Sequence, residues 1–422
     1  MSARGPSLTR AGSSPSLGSS WGERGFRPVL VYNTKTRTKE EFIPQRSGEV
    51  RAYICGPTVY DYCHIGHART YINFDVLRRY LEATGYDFIH VQNFTDVDDK
   101  ITKRAAERGM TPIQLSDEFI EEYFRDMDAL NVKRASRYTR ASDYIGKIVE
   151  ITERLMAKGI AYRSGGTVYF DVEGAGGFGE LVSGIEGAVT DPIMSLGKRG
   201  PFDFVLWREG GAAEQSWDSR IGRGRPGWHT ECVAMAMDSL GEVLDIHWGG
   251  MDLIYPHHEC SALVARAITG KPFARYWMHN NFVTLSGEKM SKSAGNTAYI
   301  RDVLEGFRAE VLRTYLLSKG YRERIDYSEA GMERMEKTYD LMVEGAAEAR
   351  KGGGGAGVSS CIKEYADAFF GALDDDLETG QALAVVERLS WEITGGAPDK
   401  DFAGASRIYD AVEGVLGIRL RR

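Results

Sequence analysis

No stretch of this 422-residue chain approaches the eighteen or more apolar residues of a membrane-spanning helix, so a membrane protein is not expected. Cysteine is scarce and odd in number, with Cys55, Cys63, Cys232, Cys260 and Cys361. The N-terminus also lacks the apolar segment of a secretory signal, which argues for reduced thiols and against a disulfide framework. An excess of positive charge is missing too: 53 Lys and Arg face 60 Asp and Glu, a net of −7. Nucleic-acid binders are often basic, but a local basic face suffices and ATP enzymes are frequently acidic, so this balance excludes little.

What is present begins with length, which exceeds one ordinary domain and can bury a substantial core. Residues 1–26 are rich in Ser, Gly and Arg and are expected to form a disordered tail. Arg and Ser also permit a transit peptide, but Gly and Pro spoil the amphipathic helix it needs. From Leu30 to about Lys100, strand and helix patterns alternate as a nucleotide-binding parallel sheet requires, which predicts an α/β fold. Further on, 161–163 and 167–171 flank Ser164-Gly165-Gly166 like a hairpin.

Two short patterns carry the chemistry. Val50 to Cys55 is β-rich and ends at Gly56-Pro57, while Tyr71, Phe74, Leu77 and Leu81 recur at helical spacing until Gly85. His64-Ile65-Gly66-His67 therefore falls where a strand hands over to a helix, a place with unpaired N–H groups and a positive dipole end suited to phosphate. Gly66 leaves room for a nucleotide, and two histidines three apart share a face on a forming helix. The second pattern is Lys289-Met290-Ser291-Lys292-Ser293, flanked by Gly287 and Gly295, in a segment built for mobility. Such a segment can close on pyrophosphate as charge develops. Together HIGH and KMSKS resemble the nucleotide-handling signatures of class I aminoacyl-tRNA synthetases.

Thiols and imidazoles, the ligand set that zinc prefers, gather around Gly227-Trp228-His229-Thr230-Glu231-Cys232 and Pro256-His257-His258-Glu259-Cys260. With Tyr53-Ile54-Cys55-Gly56-Pro57-Thr58, Asn93 to Lys100 and Asp203 to Trp207, these resemble the cysteinyl-tRNA synthetases, closely over 28–345. The resemblance implies Zn2+ held by Cys55, Cys232 and His257, binding the substrate thiolate, which serine's hydroxyl cannot match. It implies ATP with Mg2+ handled by His64, Gly66, His67, Lys289 and Lys292, of which His64, His67, Lys289 and Lys292 are the catalytic set. Thr58, Trp228 and Asp252 match pocket residues for L-cysteine, with Trp228 as a wall and Asp252 toward the ammonium group; His247 is a candidate for standing beside the ligands. The family's usual fourth ligand, a Glu, is here Ser261. Either Cys260 takes over, or three protein ligands remain and leave an open catalytic position, the preferred account.

The fold so implied is a class I Rossmann-type parallel sheet with an inserted subdomain, followed by a C-terminal helical bundle. Its expected divisions are a first catalytic half at 27–105, an insertion at 106–200, a second half at 201–300 and a helical stem-contact region at 301–350. A Gly-rich linker at 351–358 and a tRNA-binding-like helical domain at 359–422 complete it, without an evident anticodon-binding domain. The partners implied are tRNA(Cys), ATP and L-cysteine, in a cytoplasmic monomer. Two other readings stay open: the zinc-dependent cysteine ligase of mycothiol biosynthesis, which joins cysteine to an amino sugar and also lacks an anticodon domain, and a non-catalytic paralogue that binds RNA or zinc.

Overall fold

The computed structural model describes residues 28–183, 197–211, 215–290, 296–352, 360–395 and 401–421. The tail at 1–26, Lys292, the side chain of Lys289 and most of the 351–358 linker lie outside them. At the centre stands a sheet of five parallel strands, ordered Ala274–Asn280, Leu244–Gly250, Glu49–Ile54, Asp87–Phe94 and Arg137–Arg140. The α/β expectation is thus met. Leu244 to Gly249 is buried throughout, as a parallel strand covered on both faces must be.

The connections explain where a site forms. Glu49–Ile54 passes through the helix Ile65–Ala83 to Asp87–Phe94, and Leu244–Gly250 passes through Glu259–Thr269 to Ala274–Asn280. One crossover grows the sheet in one direction and the other in the opposite direction. Strand order therefore reverses between Glu49–Ile54 and Leu244–Gly250, which pair with Ile246 opposite Ala52 and Trp248 opposite Ile54. At such a reversal the carboxyl ends of the two strands open a crevice.

Between the halves lies an antiparallel sheet of Ala161–Ser164, Thr167–Phe170, Phe204–Glu209 and Gly224–Pro226. The hairpin read from the sequence pairs Ala161 with Phe170 and Ser164 with Thr167. Its sheet runs on to Pro226, so a division at residue 200 cuts through it: Trp207 and Val205 pair with the hairpin strand. That extension was hard to read because 171–203 separates the second and third strands.

Helices Glu329–Lys351, Ser360–Asp374, Thr379–Thr394 and Phe402–Ala411 follow. They share one hydrophobic core with the helix Ile65–Ala83, through Leu77, Met342, Phe369, Leu383 and Ile408 among others. Buried Asp75 on that helix pairs with Arg79 and Arg313, and Arg313 Nε donates to the Leu416 carbonyl at 2.7 Å. Burial alone would raise the Asp75 carboxyl, but the two guanidinium groups hold it below the usual range. No helix among the described residues is long and apolar enough to cross a membrane.

Candidate active site

A cleft of about 560 Å³ opens at the strand-order reversal. His64, Gly66 and His67 line it, as do Thr58, Trp228, Asp252, Cys55, Cys232 and His257. Residues more than 190 positions apart in sequence therefore share one wall-to-wall space.

His64 is not on the helix but is its N-cap, with an extended backbone. Its Nδ1 accepts from the N–H of Gly66 at 3.1 Å and of His67 at 3.3 Å, while His67 Nδ1 accepts from the His64 N–H at 3.2 Å. This is a reciprocal capping box built from two imidazoles. The rings stack with centroids 3.8 Å apart, so they meet by stacking and not as neighbours one turn apart. With both Nδ1 atoms accepting, each neutral ring carries its proton on Nε2, which makes two N–H donors. Gly66 has a local reason besides nucleotide access, because a Cβ there would lie 2.9 Å from the His64 ring.

The lysine segment begins as a hairpin. Thr284 pairs with Lys289 across a turn in which Ser286 and Gly287 both take positive φ, 53° and 80°. That is the two-residue turn favoured between twisted strands. Asp326 secures it by accepting from the Thr284 hydroxyl and the Gly287 N–H, at 2.7 and 2.8 Å. Met290 lines the cleft. Beyond 291–295, Ile65 N–H donates to Ala298 O and Ile300 N–H to Cys63 O, both at 3.0 Å. The two flanks of the lysine segment thus stand at the start of the histidine-bearing helix.

At the base of the cleft, Cys55 Sγ lies 3.9 Å from Cys232 Sγ, and His257 Nε2 lies 3.3 Å from Cys232 Sγ. His258 Nε2 is 3.3 Å from Cys55 Sγ. Ligand atoms of Cys55, His257 and His258 all fall within 4.8 Å of one another. A tetrahedral zinc with its usual bond lengths sets its ligands about 3.8 Å apart for S–S and about 3.6 Å for S–N. The donor set and its spacing fit that ion.

Neighbours and burial set the protonation of these groups in different directions. The Cys55 thiol and His257 pull Cys232 well below the usual thiol range, whereas burial pushes Cys55 up. Burial drives His247 and His258 well below their ordinary values and His279 to about 3, so these rings are neutral with a lone pair to offer.

Second partners orient the rings. His229 Nδ1 sits 3.3 Å from His257 Nδ1, and Trp228 stacks on His257 with centroids 4.2 Å apart. His258 Nδ1 meets His279 Nε2 at 2.7 Å, and His279 Nδ1 meets Thr34 Oγ1 at 2.8 Å. His247 Nε2 lies 3.5 Å from Cys55 Sγ, beside the cluster as its position between motifs suggested. Such partners fix tautomer and ring angle at metal sites. Sequence reasoning did not assign roles to His258, His229, His279 or Thr34; the doubled His257-His258 was the one available signal.

Neither Ser261, which occupies the family's fourth-ligand position, nor Cys260, the substitute considered for it, is among the clustered donors. Ser261 is buried and its hydroxyl donates to the carbonyls of His257 and His229, at 2.7 and 3.1 Å. Cys260 is buried in the apolar core and its thiol is pushed well up by that burial and by Glu259. Asp252 stands in the short turn Met251–Leu253, and Thr58 bridges to Thr95.

Comparison with known proteins bears on the family and the fold. A family model described as the class I (C) tRNA synthetase catalytic domain matches residues 41–337. A cysteine-tRNA ligase from Moorella thermoacetica is 45% identical over 384 residues, covering 86% of this chain and 80% of the relative. One from Carboxydothermus hydrogenoformans is 43% identical over 410 residues, covering 92% and 87%. Among solved structures, Mycobacterium tuberculosis methionyl-tRNA synthetase in complex with methionyl-adenylate superposes with TM-score 0.63 at 16% identity, covering 88% of this chain and 90% of that one. An Agrobacterium radiobacter LeuRS, in a ternary complex with tRNA, gives 0.65 at 12% identity, covering 89% and 84%. At these identities the structures speak for the fold alone.

Proposed function

The chain belongs to the class I (C) tRNA synthetases, and from that premise we propose that its cleft activates L-cysteine with ATP and passes it to the 3′ end of tRNA(Cys). One observation carries the choice of amino acid: two thiols and two imidazoles converge at zinc-ligand spacing at the base of the cleft that His64 and His67 line. The curated relatives favour the tRNA acceptor over the amino sugar and over a non-catalytic role.

In the first half-reaction the substrate carboxylate attacks the α-phosphorus of ATP and the bond to pyrophosphate breaks. Charge grows on the phosphate oxygens, and the Nε2–H groups of His64 and His67 donate to it from positions already fixed by their own cap. Lys289 and Lys292 take up the charge of the Mg2+-bound pyrophosphate as it leaves. Asp252 meets the substrate ammonium, while Thr58 and Trp228 wall the pocket.

Cys55, Cys232 and His257 would hold a zinc ion, with His258 against Cys55. When bound, that ion supplies a soft Lewis-acid position that a cysteine thiolate fills and a serine hydroxyl does not. Selection by one atom then needs no editing site. In the second half-reaction a terminal ribose hydroxyl of the RNA attacks the adenylate carbonyl, and AMP departs. We place the enzyme in the cytoplasm as a monomer.

The test is cysteine-dependent exchange of pyrophosphate into ATP, followed by an offer of tRNA(Cys) or glucosaminyl-inositol to the activated intermediate. Exchange and charging of the tRNA alone are expected. A folded, zinc-loaded preparation without exchange would overturn the reading, and charging of the amino sugar would overturn its acceptor.

A further inference from the structure

Lys100 is the one Lys or Arg among the described residues that line the cleft. It is exposed, and no carboxylate among the described residues pairs with its ammonium. The adjacent acids are already engaged. Asp98 caps the helix by accepting from the Lys100 N–H at 2.7 Å, and Asp99 is held by Arg225 at 2.7 Å and Arg208 at 3.2 Å. The Lys100 charge is therefore left to face the cleft, where its Nζ lies 5.6 Å from the centroid of the Tyr60 ring. Tyr60 lines the cleft as well.

On the sheet, Lys100 is set apart from the lysine hairpin, one part of the nucleotide machinery. Lys100 follows the strand Asp87–Phe94, whereas the lysine hairpin follows Ala274–Asn280, and two strands of the sheet lie between. Three strand spacings amount to about 14 Å. Arg208 and Arg225 come from the inserted sheet, so Lys100 stands where that sheet meets the catalytic half. A cation beside an aromatic ring suits single-stranded nucleic acid: the ring takes a base face and the ammonium a phosphate. The polyanion that must reach this cleft without being ATP is the acceptor RNA.

We propose that Tyr60 and Lys100 receive the single-stranded 3′ end of the acceptor RNA, with Lys100 against a phosphodiester and the Tyr60 ring under a terminal base. This rests on the synthetase reading. It assigns Lys100 to the second half-reaction and not to the first.

The zinc-loaded enzyme carrying preformed cysteinyl-adenylate provides the test, in single-turnover transfer to subsaturating tRNA(Cys). Lys100→Gln is expected to slow transfer about tenfold and to lower the slope of log affinity against log salt by about 0.7. Tyr60→Leu is expected to slow it at least fivefold, roughly the loss of one stacked base. Pyrophosphate exchange, which also reports that each variant is folded, changes less than twofold, and Lys100→Arg restores transfer. Exchange that slows in step with transfer would move Lys100 to the nucleotide and overturn the proposal. Transfer with an unchanged rate and salt slope would overturn it also. Wild-type enzyme that fails to exchange pyrophosphate overturns the parent reading instead, which keeps the two failures apart.

Discussion

Arg69 offers the sharpest test of how the two signatures are held together. It lies two residues beyond His67, fully buried, and its guanidinium donates to the Phe282 and Gly320 carbonyls, each at 3.0 Å. Phe282 leads into the strand Val283–Leu285, and Gly320 into Ile325–Tyr327, the two strands that support the lysine hairpin. One side chain thus ties the histidine helix to both. Arg69→Met removes one charge-assisted hydrogen bond from each carbonyl, about 1.5–3 kcal/mol each, while the Ile325 and Glu323 N–H groups still pair them at 3.3 and 3.0 Å. Against this, a buried guanidinium without an ion pair is itself costly, and burial lowers it to about 10. The net expectation is a loss of about 2–3 kcal/mol of stability and a melting temperature lower by a few degrees. A hairpin displaced by even about 1 Å can cost 10²-fold in rate. The kcat of cysteine-dependent pyrophosphate exchange should fall about 100-fold, with KM for cysteine within about twofold because the thiol cluster stands on other elements. Arg69→Lys, which can reach one carbonyl at a time, should fall between. A matching loss of cysteine affinity, or a lower melting temperature with unchanged exchange, would refute the coupling.

Other perturbations separate parts of the site. Cys232→Ala should remove zinc from the purified protein, while Cys260→Ala and Ser261→Ala should keep it at full stoichiometry by metal analysis. Zinc lost from either of the latter would point to a ligand outside the cluster of Cys55, Cys232, His257 and His258. His67→Ala opens half of the capping box, worth about 1 kcal/mol, yet should slow exchange about 10²-fold or more. If the rate loss matched only the lost stability, the Nε2 donor would have no part in activation. Gly56→Ala should fail to fold, because a Cβ there would lie 1.6 Å from the Asn93 carbonyl oxygen; soluble, active enzyme would contradict that contact.

Much of this was legible in the sequence because spacing and chemistry agree locally. A β-rich run ending at Cys55, followed by histidines and then a 3.6-residue apolar period, defines strand, turn and helix within thirty residues, and those are the elements observed. The convergence of Cys55 with Cys232 and His257 was legible only through resemblance. Nothing in local periodicity says that a chain leaving the sheet at Arg140 returns at Leu244 beside the first strand. The roles of His279 and Thr34 were invisible for the same reason, since His279 meets His258 across 21 positions and Thr34 meets His279 across 245. Reading His64 and His67 as helical neighbours also erred in detail. A histidine can cap a helix with its own ring, and the propensity rules that favour Ser, Thr, Asp and Asn at that position do not anticipate it.

The topology also accounts for one cleft holding both the residues proposed for selection and those proposed for activation. Cys55 follows the strand Glu49–Ile54, the HIGH residues follow a few positions later, and Cys232 and His257 flank the strand Leu244–Gly250 that pairs with it. A ligand bridging Cys55 to Cys232 and His257 therefore spans the point where the strand order reverses, and it would tie the halves of the sheet that the insertion separates in sequence. The same reversal leaves the helix N-terminus of His64 and the turn of Asp252 facing one space. A substrate whose thiol sits at the base of that space then has its carboxylate carried toward the donors of His64 and His67. A hydroxyl in place of the thiol would lose its anchor and, with it, the alignment that brings the carboxylate to phosphorus, so discrimination should appear in kcat as well as in KM.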